Sequence, residues 1–285
     1  MKLIKPSFEI LDQQCGLEGI YKQIEIAGRT CYKSEDKITE DSAKGFVDRM
    51  IKSGHGTMLE HGTVYFKVPT GKYSFLDVDY FDDCDDIKDS FYSNPYTRIH
   101  CQEGYYYITT NYRVLVENFS EEFISELLQY LCEPTEYHKK RICVRFICDR
   151  GVSHEFVRHR VFSFAQESTR YCNYSKNKFN HEITFIEPSW LYNEWNNDDN
   201  IAKDYFRQVC EQAESYYFSL LKEGWTPQQA RAVLPNALKT ELVMTGFVSN
   251  WEHFFELRDA VSAHPQAKEL AHSLHEAFIQ RGLIK

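Results

Sequence analysis

The sequence lacks the glycine-rich loops that usually hold phosphate groups. Its 285 residues include only 13 glycines, and neither a Gly-x-Gly-x-x-Gly fingerprint nor a Walker-type loop occurs. It also lacks any apolar run near the roughly 18 residues of a membrane helix, and its first residues have no signal-peptide-like apolar region. Any nucleotide site must therefore be built from side chains, and no membrane partner is expected.

Positive charge is in deficit, with 33 Lys and Arg against 42 Asp and Glu and a formal net charge of −9. Non-specific nucleic-acid binding needs a basic surface, so nucleic acid is not expected as a partner. The nine cysteines are an odd number without the spacing of a disulfide scaffold. They indicate reduced thiols in a cytoplasmic protein.

Apolar periodicity predicts a mixture of helices and strands. The predicted helices are Leu17–Ala27, Ser42–Lys52, Ser120–Cys132, Gly151–Arg160, Ala202–Glu223, Thr226–Val233, Asn250–Arg258 and Pro265–Gln280. The predicted strands are Thr63–Val68, Tyr105–Thr109, Lys140–Cys148 and Leu242–Val248. Because no regular βαβ rhythm is present, we expect an α+β fold, with a mixed or antiparallel sheet, flanking helices and a helical C-terminal half.

We expect a single domain over residues 1–285 with an acidic insertion at about 70–104. Aspartates crowd residues 77–89 of that stretch without periodicity. Such a run of like charge resists burial, so the sequence predicts a surface loop that makes no ligand contact.

The most distinctive stretch is Arg158–Tyr171, which reads Arg-His-Arg-Val-Phe-Ser-Phe-Ala-Gln-Glu-Ser-Thr-Arg-Tyr. A guanidinium matches phosphate oxygens two at a time, and Ser163, Ser168 and Thr169 add hydroxyl donors. The stretch therefore indicates capture of a phosphorylated small molecule. The alternative from composition alone is a solvated or ion-paired arginine face.

The spacing of Arg158-His159-Arg160, Ser168 and Arg170 resembles the signature of the flavin-dependent thymidylate synthases. Three further clusters resemble family motifs in the family's order. They are His55-Gly56-Thr57 with Glu60-His61, Ala230-Arg231 with Leu234-Pro235, and Phe254 to Arg258 with His264-Pro265-Gln266.

Each of these clusters also has a plainer interpretation. Glu60 could cap or pair at a helix end, and Arg231 could be an ordinary surface residue. The apolar residues near Arg258 are expected in the core; they are Trp251, Phe254, Phe255 and Leu257.

No metal site is expected. His55 and His61 are six residues apart with Gly56 between them, which does not match the zinc-protease spacing. Cys143 and Cys148, five apart on a predicted strand, should face opposite sides.

The resemblance implies an enzyme that converts dUMP to dTMP. It implies FAD as cofactor, methylenetetrahydrofolate as carbon donor, NADPH as reductant, and a homotetramer whose active sites are shared between subunits. It implies that Arg258 activates the uracil and that no thiol such as Cys172 is needed. The implied dUMP-binding residues are Glu155, Arg158, Gln166, Glu167, Ser168, Thr169, Arg170, Arg231 and Arg258. The implied FAD-binding residues are His55, Thr57, Glu60, Arg158, His159, Arg160, Gln166, Ser249, His253 and His264.

The sequence departs from the family pattern at several positions. Cys31 stands where many relatives have serine, and Phe247-Val248-Ser249 where asparagine and arginine are common. Gln166 replaces a common acidic residue and Glu155 a common glutamine. Two other classes stay open: a flavoprotein acting on another pyrimidine nucleotide, and a non-catalytic binder of phosphorylated ligands or RNA.

Overall fold

The structure is a computed structural model that describes residues 1–73, 94–193 and 201–285. The strands of these ranges are β1 (Lys2–Ile4), β2 (Ser7–Leu11), β3 (Thr63–Pro69), β4 (Arg98–Gln102), β5 (Tyr105–Asn111), β6 (Arg141–Asp149), β7 (Ser163–Gln166), β8 (Thr184–Ile186) and β9 (Lys239–Phe247). The α-helices are α1 (Gly16–Tyr32), α2 (Ser42–Lys52), α3 (Tyr112–Asn118), α4 (Glu121–Leu127), α5 (Arg150–Phe156), α6 (Ser189–Asn193), α7 (Ile201–Lys222), α8 (Pro227–Ala230), α9 (Val248–Arg258) and α10 (Pro265–Gln280).

A four-stranded antiparallel sheet, in the order β2-β6-β9-β7, forms the centre of the fold. Strands β6 and β9 pair along their full nine residues, and both are almost wholly buried. Strands with buried residues on both faces need cover on both faces. Because side chains alternate along a strand, Val144 and Phe146 of β6 point to one face and Cys143 to the other.

Helices cover both faces of this sheet. On the Phe146 face, α9 and α10 contribute fully buried Trp251, Phe254 and Phe278. On the Cys143 face, Ala27 of α1 packs against the sheet. The fold is therefore α+β as predicted, with a central sheet between α1 and the C-terminal helices.

Two smaller sheets extend this centre. Strands β3, β5 and β4 form an antiparallel sheet that shares an apolar core with α1 to α4. Strands β1 and β8 pair in parallel. They lie beside a third core, in which Tyr217 of α7 is fully buried. In the parts of the chain that the structure describes, no helix is long and apolar enough to cross a membrane.

Several predicted elements differ from the observed ones. The helix predicted over Gly151–Arg160 ends at Phe156, so Arg158 and Arg160 lie beyond it. Part of the predicted 70–104 loop forms β4, which pairs with β5. The aspartate-rich residues 77–89 lie outside the described residues.

The prediction was wrong for one residue expected in the core. Leu257 is 49% exposed, whereas Trp251, Phe254 and Phe255 are buried. Residue 257 is two positions from Phe255, which places it on a different face of a helix with 3.6 residues per turn. The prediction that Cys143 and Cys148 face opposite sides was right, since they belong to different core clusters.

Candidate functional site

The end of the arginine-rich segment is attached to the C-terminus of α1. The backbone N–H of Ser168 donates to the carbonyl of Cys31 at 3.0 Å, one of the helix-end carbonyls that lack an intrahelical partner. The ring of Tyr171 packs 5.2 Å from that of Tyr32, and the Arg170 guanidinium lies 5.1 Å from the Tyr171 ring centre. Residues 31–32 and 168–171, far apart in sequence, therefore form one surface.

Arg231 joins this surface from α8 and the 3₁₀ turn that follows it. Its guanidinium donates to the Thr169 hydroxyl at 2.8 Å. Thr169 itself is buried, and Ser168 is half-buried. The structure thus brings together Ser168, Thr169, Arg170 and Arg231, all four implied for dUMP.

The arginines of this segment, together with Arg231, are exposed and lack acidic partners. Arg158, Arg160, Arg170 and Arg231 are all exposed. None of them lies within 4.0 Å of a carboxylate in the described ranges. Their donors are consequently available to an anionic ligand, in a protein whose net charge is negative.

A cavity of about 860 Å³ opens beside Tyr32 and Tyr171. We call it the basic cavity, because six cations but only one acid, Asp36, line it. The cations are Arg29, Lys37, Arg49, Lys52, Lys176 and Lys178. A wall with this charge and with the rings of Tyr32 and Tyr171 suits a ligand that carries both phosphate and a flat ring system.

Two of these cations are held by the fold. The Lys178 ammonium donates to the carbonyls of Tyr32 and Lys33 at 3.1 and 2.7 Å, a favourable position for a cation at a helix C-terminus. Arg29 pairs with the carboxylate of Glu25 at 2.9 Å. The other cations provide most of the uncompensated charge.

The His55–His61 cluster divides between the surface and the interior. His55 is exposed on the wall of the basic cavity, at the start of a 3₁₀ turn over Gly56–His61. Thr57 is also exposed. Glu60 is buried and pairs with the Arg113 guanidinium at 2.6 Å, which agrees with the plainer interpretation of that residue.

Arg258 lies in a separate group of residues at the end of α9. Its Nε donates to the His159 ring at 2.9 Å, and another guanidinium nitrogen donates to the Glu155 carbonyl at 2.8 Å. A third contact joins it to the Glu155 carboxylate. We call Glu155, His159 and Arg258 the Arg258 group; it holds a cation rigidly and balances much of its charge.

These contacts determine the protonation of His159. Arginine can only donate, so the His159 Nε2 must accept and the ring proton is on Nδ1. Burial, with a smaller contribution from Arg258, lowers the pKa of His159 to about 4. His159 is therefore neutral near pH 7 and positions Arg258.

Gln166 and Glu167 point into the protein rather than to the arginine surface. The Gln166 amide donates to the hydroxyls of Ser153 and Thr240 at 2.9 and 3.2 Å. The Glu167 carboxylate is buried and accepts from Lys239 at 2.9 Å. Their side chains thus stabilise the loop that carries Ser168.

The remaining implied FAD residues lie near the ends of α9 and α10. Ser249 and His253 are exposed on α9, and the His253 ring lies 6.3 Å from that of His159. His264 is exposed at the start of α10. The neighbouring Gln266 is buried and donates to Asp149 at 2.8 Å, which fixes α10 to the N-terminus of α5.

The sequence analysis missed the residues of the basic cavity other than His55. They come from residues 29–53 and 171–178, with no local motif to connect them. In the described ranges, no group of three His, Cys, Asp or Glu side chains could hold a metal ion.

The fold and site describe an α+β protein with unpaired arginines next to a basic, aromatic-lined cavity. A family model described as "Thymidylate synthase complementing protein" matches residues 17–72 and 102–281. The chain belongs to this family, which confirms the resemblance in the sequence. The match is interrupted over 73–101.

Individual relatives agree with this family. A "Flavin-dependent thymidylate synthase" from Pyrococcus furiosus is 28% identical over 177 residues, 62% of this chain and 70% of that relative. One from Mycolicibacterium vanbaalenii is 24% identical over 265 residues, 87% of this chain and 71% of the relative. One from Pyrococcus abyssi is 31% identical over 134 residues, covering about half of each, 47% and 52%.

Among solved structures, the chain resembles "a UMP/dUMP methylase PolB from Streptomyces cacaoi bound with 5-Br dUMP". The identity is 17% and the TM-score 0.43, with 98% of this chain and 93% of that chain covered.

Proposed function

We propose that this protein is a flavin-dependent thymidylate synthase. It would methylate dUMP to dTMP, using methylenetetrahydrofolate as carbon donor and NADPH as reductant through FAD. The observation that carries this proposal is the position of the family match, because residues 17–72 and 102–281 contain every residue implied for FAD and dUMP. The named flavin-dependent synthases among the relatives support it.

The donor chemistry of the chain fits dUMP. Arg170 and Arg231 flank Ser168 and Thr169, and neither arginine has a carboxylate partner in the described ranges. Two forked cations and a hydroxyl suit the three outer oxygens of a phosphate monoester. We assign these residues to the dUMP phosphate.

The donor chemistry also fits FAD, whose two phosphates need cations because the chain has no glycine-rich loop. The basic cavity provides those cations together with the rings of Tyr32 and Tyr171, and His55 lies on its wall. We propose that this cavity, with Thr57, holds part of the cofactor, and that Arg158, His159, Arg160 and His253 hold another part. When bound, FAD supplies the redox chemistry, while the chain supplies position and charge.

The Arg258 group would act on the uracil. A ring that must attack a carbon electrophile needs negative charge stabilised on it, and a fixed cation provides this. Arginine keeps its charge at neutral pH, and neutral His159 holds its Nε. We assign Arg258 as the catalytic residue and His159 and Glu155 as residues that position it.

We also propose one domain and a cytoplasmic homotetramer with shared active sites. One observation supports the sharing of active sites between subunits. The Arg258 group does not line the basic cavity, so the implied residues form separate groups within one chain. Mixing two impaired variants, His55→Ala and Arg258→Ala, should raise the activity above that of either variant alone if sites combine residues from different subunits. Lack of recovery in tetramers shown to contain both variants would contradict shared sites.

The first test of the function is the absorbance spectrum of the purified protein. We expect bound flavin, released as FAD on denaturation, and a spectral change that saturates with dUMP. A colourless protein that cannot be loaded with FAD, yet binds phosphorylated ligands, would favour the non-catalytic binder.

A further inference from the structure

A second cavity, of about 250 Å³, lies between α1, β2, β3 and β6. Its inner wall includes Gln23, His61, Thr63, Arg141 and Cys143, and we call it the Arg141 cavity. None of the residues assigned above to FAD or dUMP lines it. The cavity is therefore separate from the residues assigned to the proposed synthase activity.

Arg141 is a buried cation without an acidic partner. Only 7% of the residue is exposed, and its guanidinium donates to the Thr63 hydroxyl at 3.3 Å and the Glu60 carbonyl at 3.1 Å. No carboxylate of the described residues lies within 4.0 Å of it, since Glu60 pairs with Arg113. Buried charges are usually paired, because an isolated ion in the interior is costly.

The charge on Arg141 is nevertheless retained. Burial lowers the pKa of the guanidinium to about 10, which is still well above neutral pH. Only two of its five N–H groups are used by the side-chain contacts above. The cavity thus contains a permanent cation with spare donors.

Two other buried polar atoms in this wall lack a strong hydrogen-bond partner. Gln23 Nε2 has no hydrogen bond among the described residues; it lies near the Cys143 thiol, a weak acceptor. His61 Nε2 also has no close partner, but the ring interacts with the backbone of Phe164, a β7 residue that does not line the cavity. Gln23 is 3% exposed and His61 fully buried, so each unpaired atom carries a desolvation cost.

The tautomer and charge of His61 follow from its own contacts. Its Nδ1 lies 2.8 Å from the Thr245 hydroxyl, which can donate and leave the ring proton on Nε2. Burial and the nearby Arg141 lower the pKa of His61 to about 3, so the ring is neutral. The donors that face the cavity are therefore those of Arg141 and Gln23, while neutral His61 adds a polar ring to the wall.

The acidic residues of the cavity lie at its mouth. Asp12 and Glu133 are exposed, and Asp12 pairs with Arg281 at 2.8 Å. Lys140, also exposed, lies beside them. The inner wall is therefore positive and rich in donors, whereas the mouth has mixed charge.

We propose that the Arg141 cavity is a binding site for a small oxyanion, held by Arg141 and Gln23. Water could accept from the unpaired N–H groups, but only an anion also balances the buried charge of Arg141. The volume is several times the roughly 30 Å³ share of one water molecule, so a small carboxylate or a phosphate ion can enter.

The test is thermal unfolding of the full-length protein in sodium formate or sodium phosphate, against sodium chloride at matched ionic strength. A ligand that binds only the folded state raises Tm in a saturable way. We expect saturation with at least one oxyanion. A saturable rise in Tm with formate but not phosphate would identify a carboxylate ligand. A rise with phosphate but not formate would identify a tetrahedral oxyanion.

Two Gln23 variants and one control variant show which cavity produces the saturable rise in Tm. Gln23→Met keeps the length but removes the donor, so the apparent affinity should fall about ten- to a hundred-fold. Gln23→Glu places a carboxylate in the cavity and should abolish the saturable response. Arg49→Gln removes a cation from the basic cavity and should keep the response.

Two results would overturn the inference. One is a wild-type Tm that rises no more in formate and phosphate than in chloride. The other is a saturable response that persists in both Gln23 variants, or that disappears only in Arg49→Gln, which would place the anion in the basic cavity.

Discussion

Two groups of arginines in this protein differ in whether their charge is balanced. Arg258 is held by three contacts to Glu155 and His159, whereas Arg158, Arg160, Arg170 and Arg231 are exposed without carboxylate partners in the described ranges. A rigid, balanced cation is pre-organised for a charge that appears during a reaction. Exposed cations without carboxylate partners suit a charge that the ligand always carries. The difference predicts that Arg258 acts mainly on turnover and the exposed arginines mainly on binding.

The largest expected effect comes from Arg258→Ala. It should lower turnover by about 10²–10³-fold, the range for loss of one preorganised electrostatic group, with FAD binding retained. Arg258→Lys should fall between wild type and alanine, because an ammonium keeps the charge but cannot make the same forked contacts. Steady-state kinetics on flavin-loaded protein measures this. Near-normal turnover with only a lower Tm would show that Arg258 is a helix-end structural residue.

Arg170→Ala tests one of the exposed arginines, which should act on ligand binding rather than on turnover. Charge-assisted hydrogen bonds are worth about 1.5–3 kcal/mol, so dUMP binding should weaken roughly ten- to a hundred-fold, with FAD affinity little changed. Arg207→Ala, on the exposed surface of α7, removes the same charge and should have no effect. Equal loss of dUMP and FAD on titration of the Arg170 variant would instead indicate a structural arginine.

The Arg258 group also predicts a dependence of stability on pH. The pKa of His159 is about 4 in the folded chain, against about 6.5 when unfolded, so unfolding takes up a proton between these values. Stability should therefore fall as the pH drops from about 6.5 towards 4, at most by about 1.4 kcal/mol per pH unit from this residue.

His159→Gln keeps an acceptor for Arg258 but cannot titrate. Urea unfolding at pH 7, 6 and 5 should show that the free energy of unfolding falls less steeply with decreasing pH for this variant than for wild type. His253→Gln removes an exposed histidine and serves as the control. Identical slopes for wild type and His159→Gln would contradict a buried, neutral His159.

The smallest effect is expected at Cys172, two residues beyond Arg170. Its thiol is fully buried, and burial raises its pKa to about 12, so no reactive thiolate is available. Cys172→Ala should keep dTMP formation within a few-fold of wild type. Total loss of activity in a folded variant that still binds FAD would show that a protein thiol takes part.

The sequence predicted the longer elements well, for identifiable reasons. Helix α2 and helix α10 have the predicted bounds, because a continuous apolar stripe and flanking Gly54 or Pro265 mark them. Strand β7 was missed: it is four residues long and buries small side chains, Ser163 and Ala165. This segment is a strand because it pairs with β9, and no local sequence pattern shows that pairing.

The residues of the candidate site also divide into those that one segment of sequence shows and those that only the folded chain brings together. Arg158, Ser168 and Arg170 could be nominated from spacing in one segment. The basic cavity could not, because Arg49 and Lys178 meet only after α1, α2 and the 171–178 loop pack together. The pairing of Glu155 with Arg258 joins residues 103 positions apart, and the unpaired state of Arg141 is likewise visible only in three dimensions.

The central claim is tested most directly by release of tritium from dUMP labelled at C5 of the uracil. With FAD-loaded protein we expect release that requires both methylenetetrahydrofolate and NADPH, accompanied by an equal amount of dTMP. Protein that binds FAD and dUMP but releases no tritium and forms no dTMP under these conditions would contradict the proposed synthase.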